Sequence, residues 1–207
     1  MGEARGFTLV ETLVVIAIIV LLAAMLFPVY ETVTKRAERA VCLTNIRNSG
    51  LATRIYADDY DGRCVPARIS TSYSGFYGTC WELLLQPYLR SELILLCPSD
   101  SMPQPAAGSI SVKHSYGINY DIALIGGYNG NSALLSEVDY PAETILFFEL
   151  RGASRSMGTS FDAHGLSRVD ARHGEGANFL FVGGNAKWEP PISTATPRGG
   201  RANMWQP

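Results

Sequence analysis

Charge is scarce in this chain, and what there is nearly cancels. Charged residues make up 17% of 207 positions, with 17 Lys and Arg against 19 Asp and Glu. No overall basic field exists to hold a polyanion, so nucleic acid is not expected among its partners. Histidine is scarcer still, at three, and none of the four cysteines, Cys42, Cys64, Cys80 and Cys97, belongs to a C-x-x-C pair. A structural zinc site is therefore not expected, and neither is any other metal or cofactor. Also missing are G-x-S-x-G, H-E-x-x-H, a P-loop and a dinucleotide fingerprint. Without such a context, His173 with Asp170 and Glu175, His164 with Asp162, and Ser167 as a nucleophile lack a catalytic setting. The chain does not read as an enzyme, and His173 reads as a histidine at the start of a hairpin, hydrogen-bonded to a neighbouring loop.

What is present is a long apolar run. Leu13 to Val29 carries no charge and no strongly polar side chain, which is long enough to cross a bilayer as a helix. It exceeds most signal-peptide cores, and it is preceded by a short polar leader and by Gly6-Phe7-Thr8-Leu9-Val10-Glu11. A carboxylate in hydrocarbon costs about 2.5–3.5 kcal/mol on insertion scales, so Glu11 must be paired or functional. No basic residue lies in its own apolar segment. If the chain is cut after Gly6, Phe7 acquires an α-amino group that can neutralise Glu11 of a neighbouring helix, removing two burial penalties together. Charge flanking the span runs the other way for orientation: Arg5 precedes it, whereas Lys35, Arg36 and Arg39 follow it.

Between Tyr30 and Asp59 there is no proline and one glycine, Gly50, so the helix is expected to continue into water. A loose stripe of Val33, Ala37, Ala40, Val41, Ile46, Leu51 and Ile55 is its expected packing face. Asp58, Asp59 and Asp61 before Gly62 are weak calcium candidates. The EF-hand pattern fails, because the glycine comes too early and Ser70 stands where the bidentate Glu belongs, so a helix-ending turn is the expectation.

An even cysteine count permits two disulfides in an oxidising compartment. Spacing leaves connectivity open, with four buried thiols as the alternative. The preferred pairing joins Cys64 to Cys80, closing a short loop, and leaves Cys42 to tether the helix to Cys97.

In the remainder, Trp81 to Leu89 reads as a short helical segment, Leu93 to Cys97 as a strand, and Thr144 to Leu150 as a strand buried on both faces. The clearest hairpin joins Ala177–Val182 to Asn185–Trp188, with Gly183 and Gly184 expected to supply the positive φ angles of a two-residue turn. Thr194 to Pro207 lacks periodicity and reads as an exposed tail.

The hexapeptide Gly6 to Glu11 followed by an apolar helix resembles the class III leader of type IV pilins and type II secretion pseudopilins. The resemblance implies cleavage between Gly6 and Phe7 by a prepilin peptidase, methylation of the Phe7 amine, an assembly role for Glu11, and a helix break at Pro28. Asn45-Ile46-Arg47, Tyr56 to Gly62, Cys97-Pro98-Ser99-Asp100, Ser115 to Asn119, Arg172-His173 and Gly176 to Val182 resemble prepilin-type proteins with a C-terminal signature of histidine, nine residues, then Asp-Gly. Here Gly183 replaces the aspartate, and Asn185 stands where histidine is often found.

The implied fold is α+β: a long helix whose second half packs on a C-terminal antiparallel sheet. The expected organisation is a leader over 1–6, a transmembrane and assembly helix over 7–30, its amphipathic continuation over 31–59, a globular head over 60–192 and a tail over 193–207. The implied partners are the chain itself and other pilins, prepilin peptidase, an inner-membrane assembly platform and membrane lipid. The implied location is a single pass of the inner membrane, N-terminus cytoplasmic and head periplasmic or extracellular, with filaments when assembled. The competing reading is a membrane-tethered binding or adhesive module, with Tyr73, Tyr77, Trp81 and Trp205 as contact aromatics.

Overall fold

A computed structural model describes residues 8–69, 79–105, 113–123, 132–151, 168–195 and 204. It divides into two compact units, Met1–Ala37 and Glu38–Pro207, with the boundary inside a helix. That helix, α1, runs Leu9–Asp59.

In the first unit α1 is an isolated rod. Every residue from Leu9 to Val33 is exposed, including Ile16, Ile19, Leu22, Leu26 and Phe27. Leaving such side chains in water forfeits about 1.5–3 kcal/mol each, so this face requires a covering phase. The expected break at Pro28 does not occur, and α1 passes through it. The proline deletes one N–H donor, and the helical bonds on either side carry the chain onward. The apolar stretch ends at Glu31 and Lys35, an i,i+4 ion pair of 2.8 Å in the favourable Glu-to-Lys order.

The second unit is a sheet-on-helix head. The short strands β1 (Arg68–Ile69) and β2 (Thr79–Cys80) pair with each other, as do β3 (Gln104–Pro105) and β4 (Lys113–His114). The main sheet is antiparallel in the order β5 (Tyr116–Ile118), β6 (Ile145–Glu149), β7 (Ala177–Phe181), β8 (Ala186–Glu189). Strands β6 and β7 are buried on both faces, as the unbroken apolar run of β6 foretold. One face joins a core of Cys42, Ile46, Tyr56, Trp81, Phe147 and Leu180. The other covers a smaller cluster of Phe148, Leu150, Val169, Phe179, Phe181 and Met204.

The buried face of α1 differs from the expected stripe. Val41, Leu51 and Ile55 are about half exposed, whereas Cys42, Ile46, Ser49, Gly50, Thr53 and Tyr56 are buried. The sheet comes so close that a Cβ at Gly50 would lie 2.3 Å from Leu180 Cδ2. Small residues are needed there, and the hydroxyls of Ser49 and Thr53 tolerate burial because they donate to the carbonyls of Asn45 (3.2 Å) and Ser49 (3.0 Å).

Three further expectations are corrected. Leu93–Cys97 is not a strand: Glu92–Leu95 forms a 3₁₀ turn, begun by Ser91, whose Oγ accepts from the Leu93 N–H. The 177–189 hairpin has a three-residue loop rather than a two-residue turn, since Phe181 N–H donates to Asn185 C=O and Gly184 N–H to Phe181 C=O. Of its two glycines only Gly184 has positive φ, at 88°, as in a type I turn closed by a left-handed residue. The tail is not wholly exposed: Thr194 and Met204 are buried, and Ile145 N–H donates to the Met204 carbonyl at 2.9 Å.

The cysteine pairing is half as expected. Cys42 on α1 is bonded to Cys97, while Cys64 and Cys80 remain buried thiols. The β1–β2 register sets Cys80 opposite Arg68, and the Cys64 N–H is committed to the Ala133 carbonyl. The short loop between the two cysteines therefore closes through a strand pair instead of a disulfide. Burial pushes the Cys64 thiol up to about 12, which keeps it protonated and unreactive.

A second buried pair sits beneath Trp81. His114 Nε2 is 3.2 Å from Glu82 Oε1, with both side chains almost fully buried, and the Trp81 ring meets His114 edge-on. Burial raises the Glu82 carboxyl above its ordinary 4.5, and the charge of His114 offsets part of that rise. With the folded value above the unfolded one, the unfolded chain gives up its proton first, so this group costs stability as pH rises from 4.5 through the folded value. Glu82→Gln removes the cost. Its melting temperature relative to the wild type should climb as pH is raised from 4.5, and thermal melts of both proteins across that range check it; a constant difference would show that Glu82 does not titrate in that window.

Candidate functional site

Two places carry chemistry: the start of α1 and a buried polar cluster in the head. At the first, Gly6 and Phe7 lie outside the described residues, and Glu11 sits on the first turn of α1. Its Oε2 accepts from the Thr8 N–H (2.8 Å) and the Thr8 hydroxyl (2.7 Å), while the Glu11 N–H donates back to Thr8 Oγ1 at 3.3 Å. This is a reciprocal capping box, with Thr8 at the N-cap and Glu11 three residues on. The T-x-x-E spacing announced it in the sequence, where Glu11 was read for its charge alone. The carboxylate thus has a polar partner in its own chain, but no cation among the described residues.

The second place gathers segments that are far apart in sequence. Cys42 comes from α1, Cys97 follows the 3₁₀ turn, Glu149 ends β6, and His173 lies in the turn before β7. His173 Nε2 is 2.9 Å from Glu149 Oε1 and 3.5 Å from Cys97 Sγ. Glu149 is held by the Asn178 N–H (3.0 Å, to Oε2) and the Asn178 side-chain amide (2.9 Å, to Oε1). Trp188 Nε1 donates to the His173 carbonyl at 2.8 Å, and its ring lies so close to Gly176 that a Cβ there would be 2.2 Å from Cε2. Beside it, Arg172 bridges Asp100 (2.8 Å) and Asp170 (3.0 Å). Asn45 Nδ2 donates to the Leu96 carbonyl at 2.8 Å, and the Cys97 N–H to Ser115 Oγ at 3.0 Å. Cys97-Pro98-Ser99-Asp100, Ser115-Tyr116, Arg172-His173 and Asn178 therefore converge on one knot that fastens α1 to the sheet.

The remaining candidates stay apart from it. Asp59 accepts from the Tyr88 hydroxyl at 2.9 Å, and Asp58, Asp59 and Asp61 do not converge as a ligand set among the described residues. Asp61 and Gly62 take positive φ and let the Gly62 N–H reach back to Ala57 C=O, which ends α1. The expectation for His173 was a hydrogen bond to a neighbouring loop; its ring meets Cys97 Sγ, in the loop after the 3₁₀ turn, at 3.5 Å and also faces the Glu149 carboxylate, and its carbonyl takes the indole N–H. Asp162, His164, Ser167, Tyr73, Tyr77 and Trp205 lie outside the described residues. Trp81 is fully buried against Phe147, so it is no surface contact.

Residues 1–27 match the prokaryotic N-terminal methylation motif, a span that takes in Gly6-Phe7, the capping box and most of the apolar run. This N-terminal segment is similar to a prepilin leader. A "Fimbrial protein" of Moraxella nonliquefaciens is 37% identical over 75 residues, covering 36% of this chain and 47% of that protein. The match thus spans about half the length of the curated relative. No solved structure matches. The long apolar helix and the four-stranded antiparallel sheet agree with a pilin-like α+β fold.

Proposed function

We propose that this chain is a structural, non-enzymatic subunit of a type IV pilus-like filament. It is processed by a prepilin peptidase between Gly6 and Phe7 and held in the inner membrane by the first half of α1 until assembly. The observation that carries this reading is the exposed apolar rod from Leu9 to Val29 with one carboxylate, Glu11, at its start. Lipid covers such a rod before assembly, and identical rods cover it afterwards. The Phe7 amine of one subunit then meets the Glu11 carboxylate of the next. The head faces the periplasm or the exterior, where the Cys42–Cys97 disulfide is stable. Other pilins and an inner-membrane assembly platform are its partners.

Processing is tested by N-terminal mass analysis of membrane-extracted protein from cells with an active prepilin peptidase. The expected terminus is N-methylated Phe7. An intact leader in those cells would defeat the reading and favour a permanently tethered module.

A further inference from the structure

The Cys42–Cys97 disulfide lies within a set of four buried ligand atoms. The Sγ atoms of Cys42 and Cys97, a ring nitrogen of His173 and a carboxylate oxygen of Glu149 all fall within 4.8 Å of one another. We propose that on reduction of the disulfide these four side chains form a tetrahedral thiolate–imidazole–carboxylate site for a divalent zinc-type cation, so that disulfide and metal are alternative closures of the same staple.

Once reduction lets the two sulfurs separate, two of the remaining edges are near what such an ion requires. Ligand bonds of about 2.3 Å to sulfur and about 2.0–2.1 Å to nitrogen or oxygen give tetrahedral edges of about 3.6 Å between sulfur and nitrogen and about 3.4 Å between nitrogen and oxygen. The Cys97 Sγ to His173 Nε2 distance is 3.5 Å, and His173 Nε2 to Glu149 Oε1 is 2.9 Å. Two thiolates with an imidazole select a soft or borderline ion over calcium or magnesium. The surrounding bonds hold the ligands in place: two Asn178 donors fix the carboxylate, and the His173 backbone is tied through its N–H to Gly176 C=O and through its carbonyl to Trp188. A groove of about 470 Å³, lined in part by Val41, Asn45, Leu96, Cys97 and Asp100, opens beside Cys97. The four ligands come from four separate segments, so the ion would tie α1 to the sheet just as the disulfide does.

The chemistry balances without an unnamed reactant. Two thiol molecules supply two electrons and two protons: the Cys42–Cys97 bond breaks, two cysteine thiols form, and the donor becomes its own disulfide. A phosphine does the same in vitro, taking oxygen from water to become its oxide. Metal binding then displaces the two thiol protons as two metal–sulfur bonds form, with His173 binding as neutral imidazole.

The test is cobalt(II) titration of the full-length protein in detergent micelles, anaerobically, with and without prior phosphine reduction. The reduced wild type should bind one equivalent and show the intense visible absorption of a tetrahedral cobalt–thiolate centre, which zinc then bleaches. The oxidised protein and Cys42→Ser/Cys97→Ser should show neither. His173→Gln should bind at least about tenfold more weakly. On reoxidation it should still form the Cys42–Cys97 disulfide, showing that the fold is kept. If His173→Gln fails to reoxidise, Asn178→Ala replaces it: a metal site predicts binding about 10- to 100-fold weaker, and unchanged binding overturns the proposal. Reduced wild type without that absorption at one equivalent, or His173→Gln binding like the wild type, also overturns it.

Discussion

Glu11→Gln is expected to be inserted and processed like the wild type yet to assemble poorly, by about two to three and a half orders of magnitude in subunit association. Gln at the third helical position keeps the capping box, because its amide oxygen still accepts from Thr8. What it lacks is charge, so a neighbour's Phe7 amine would be buried alone. Breaking one side of a buried pair costs about 3–5 kcal/mol, which sets the loss in association. Glu11→Ala removes the charge and the side-chain half of the capping box together, leaving Thr8 as N-cap, while easing insertion of the lone helix by about 3 kcal/mol. The two variants separate the two roles. If the charge drives assembly, both fail, as scored by filament yield on electron micrographs against membrane-extracted, processed subunit. Normal filaments from Glu11→Gln with failure of Glu11→Ala would leave Glu11 as a helix cap only, and the counter-charge idea would be wrong.

What the sequence made legible follows from how locally each feature is determined. The apolar run, the N-terminal methylation motif and β6 depend on contiguous residues, and all were readable. The hairpin at 177–189 was readable as a hairpin, but its loop type was not, because Val182 N–H donates to Thr144 C=O and Gly183 N–H to Pro141 C=O across the fold. Those contacts select which residues turn. The packing face of α1 was misread for a related reason. Hydrophobicity favoured Val41, Leu51 and Ile55, but the closeness of Leu180 demanded the glycine, serine and threonine of the adjacent face. Ser91 outweighed the strand-like run after it through one side-chain bond.

The buried knot was legible only as fragments. Asp100, Glu149, Arg172, His173 and Asn178 gain meaning once β6 and β7 pair, and the register Phe148↔Phe179 is what brings Glu149 to Asn178. The resemblance marked most of those segments without saying what they share. Cys64 and Cys80 show the converse. A short separation in sequence made them the favoured pair, yet strand register sets Cys80 opposite Arg68, and both remain buried thiols.

Cys42→Ala/Cys97→Ala should therefore lower the stability of the head far more than Cys64→Ala/Cys80→Ala. The native bridge closes a separation of 55 residues, for which the chain-entropy model gives about 4 kcal/mol. That is a large part of the roughly 5–15 kcal/mol typical of a domain. At 2–4 °C per kcal/mol for a chain of this size, the melting temperature should fall by about 8–16 °C. Loss of the two buried thiols removes only small side chains from packed sites and should cost about 1 kcal/mol. Thermal melts of the full-length protein in detergent, each with and without a reductant and with a chelator throughout, make the comparison. The reductant should lower the wild type and Cys64→Ala/Cys80→Ala alike and leave Cys42→Ala/Cys97→Ala unmoved. A reductant that instead shifts Cys42→Ala/Cys97→Ala and spares Cys64→Ala/Cys80→Ala would place the stabilising bridge at the short loop, and the tether between α1 and the sheet would then rest on core packing and on the hydrogen bonds of Arg47 and Arg54 to the Ala186 and Val182 carbonyls.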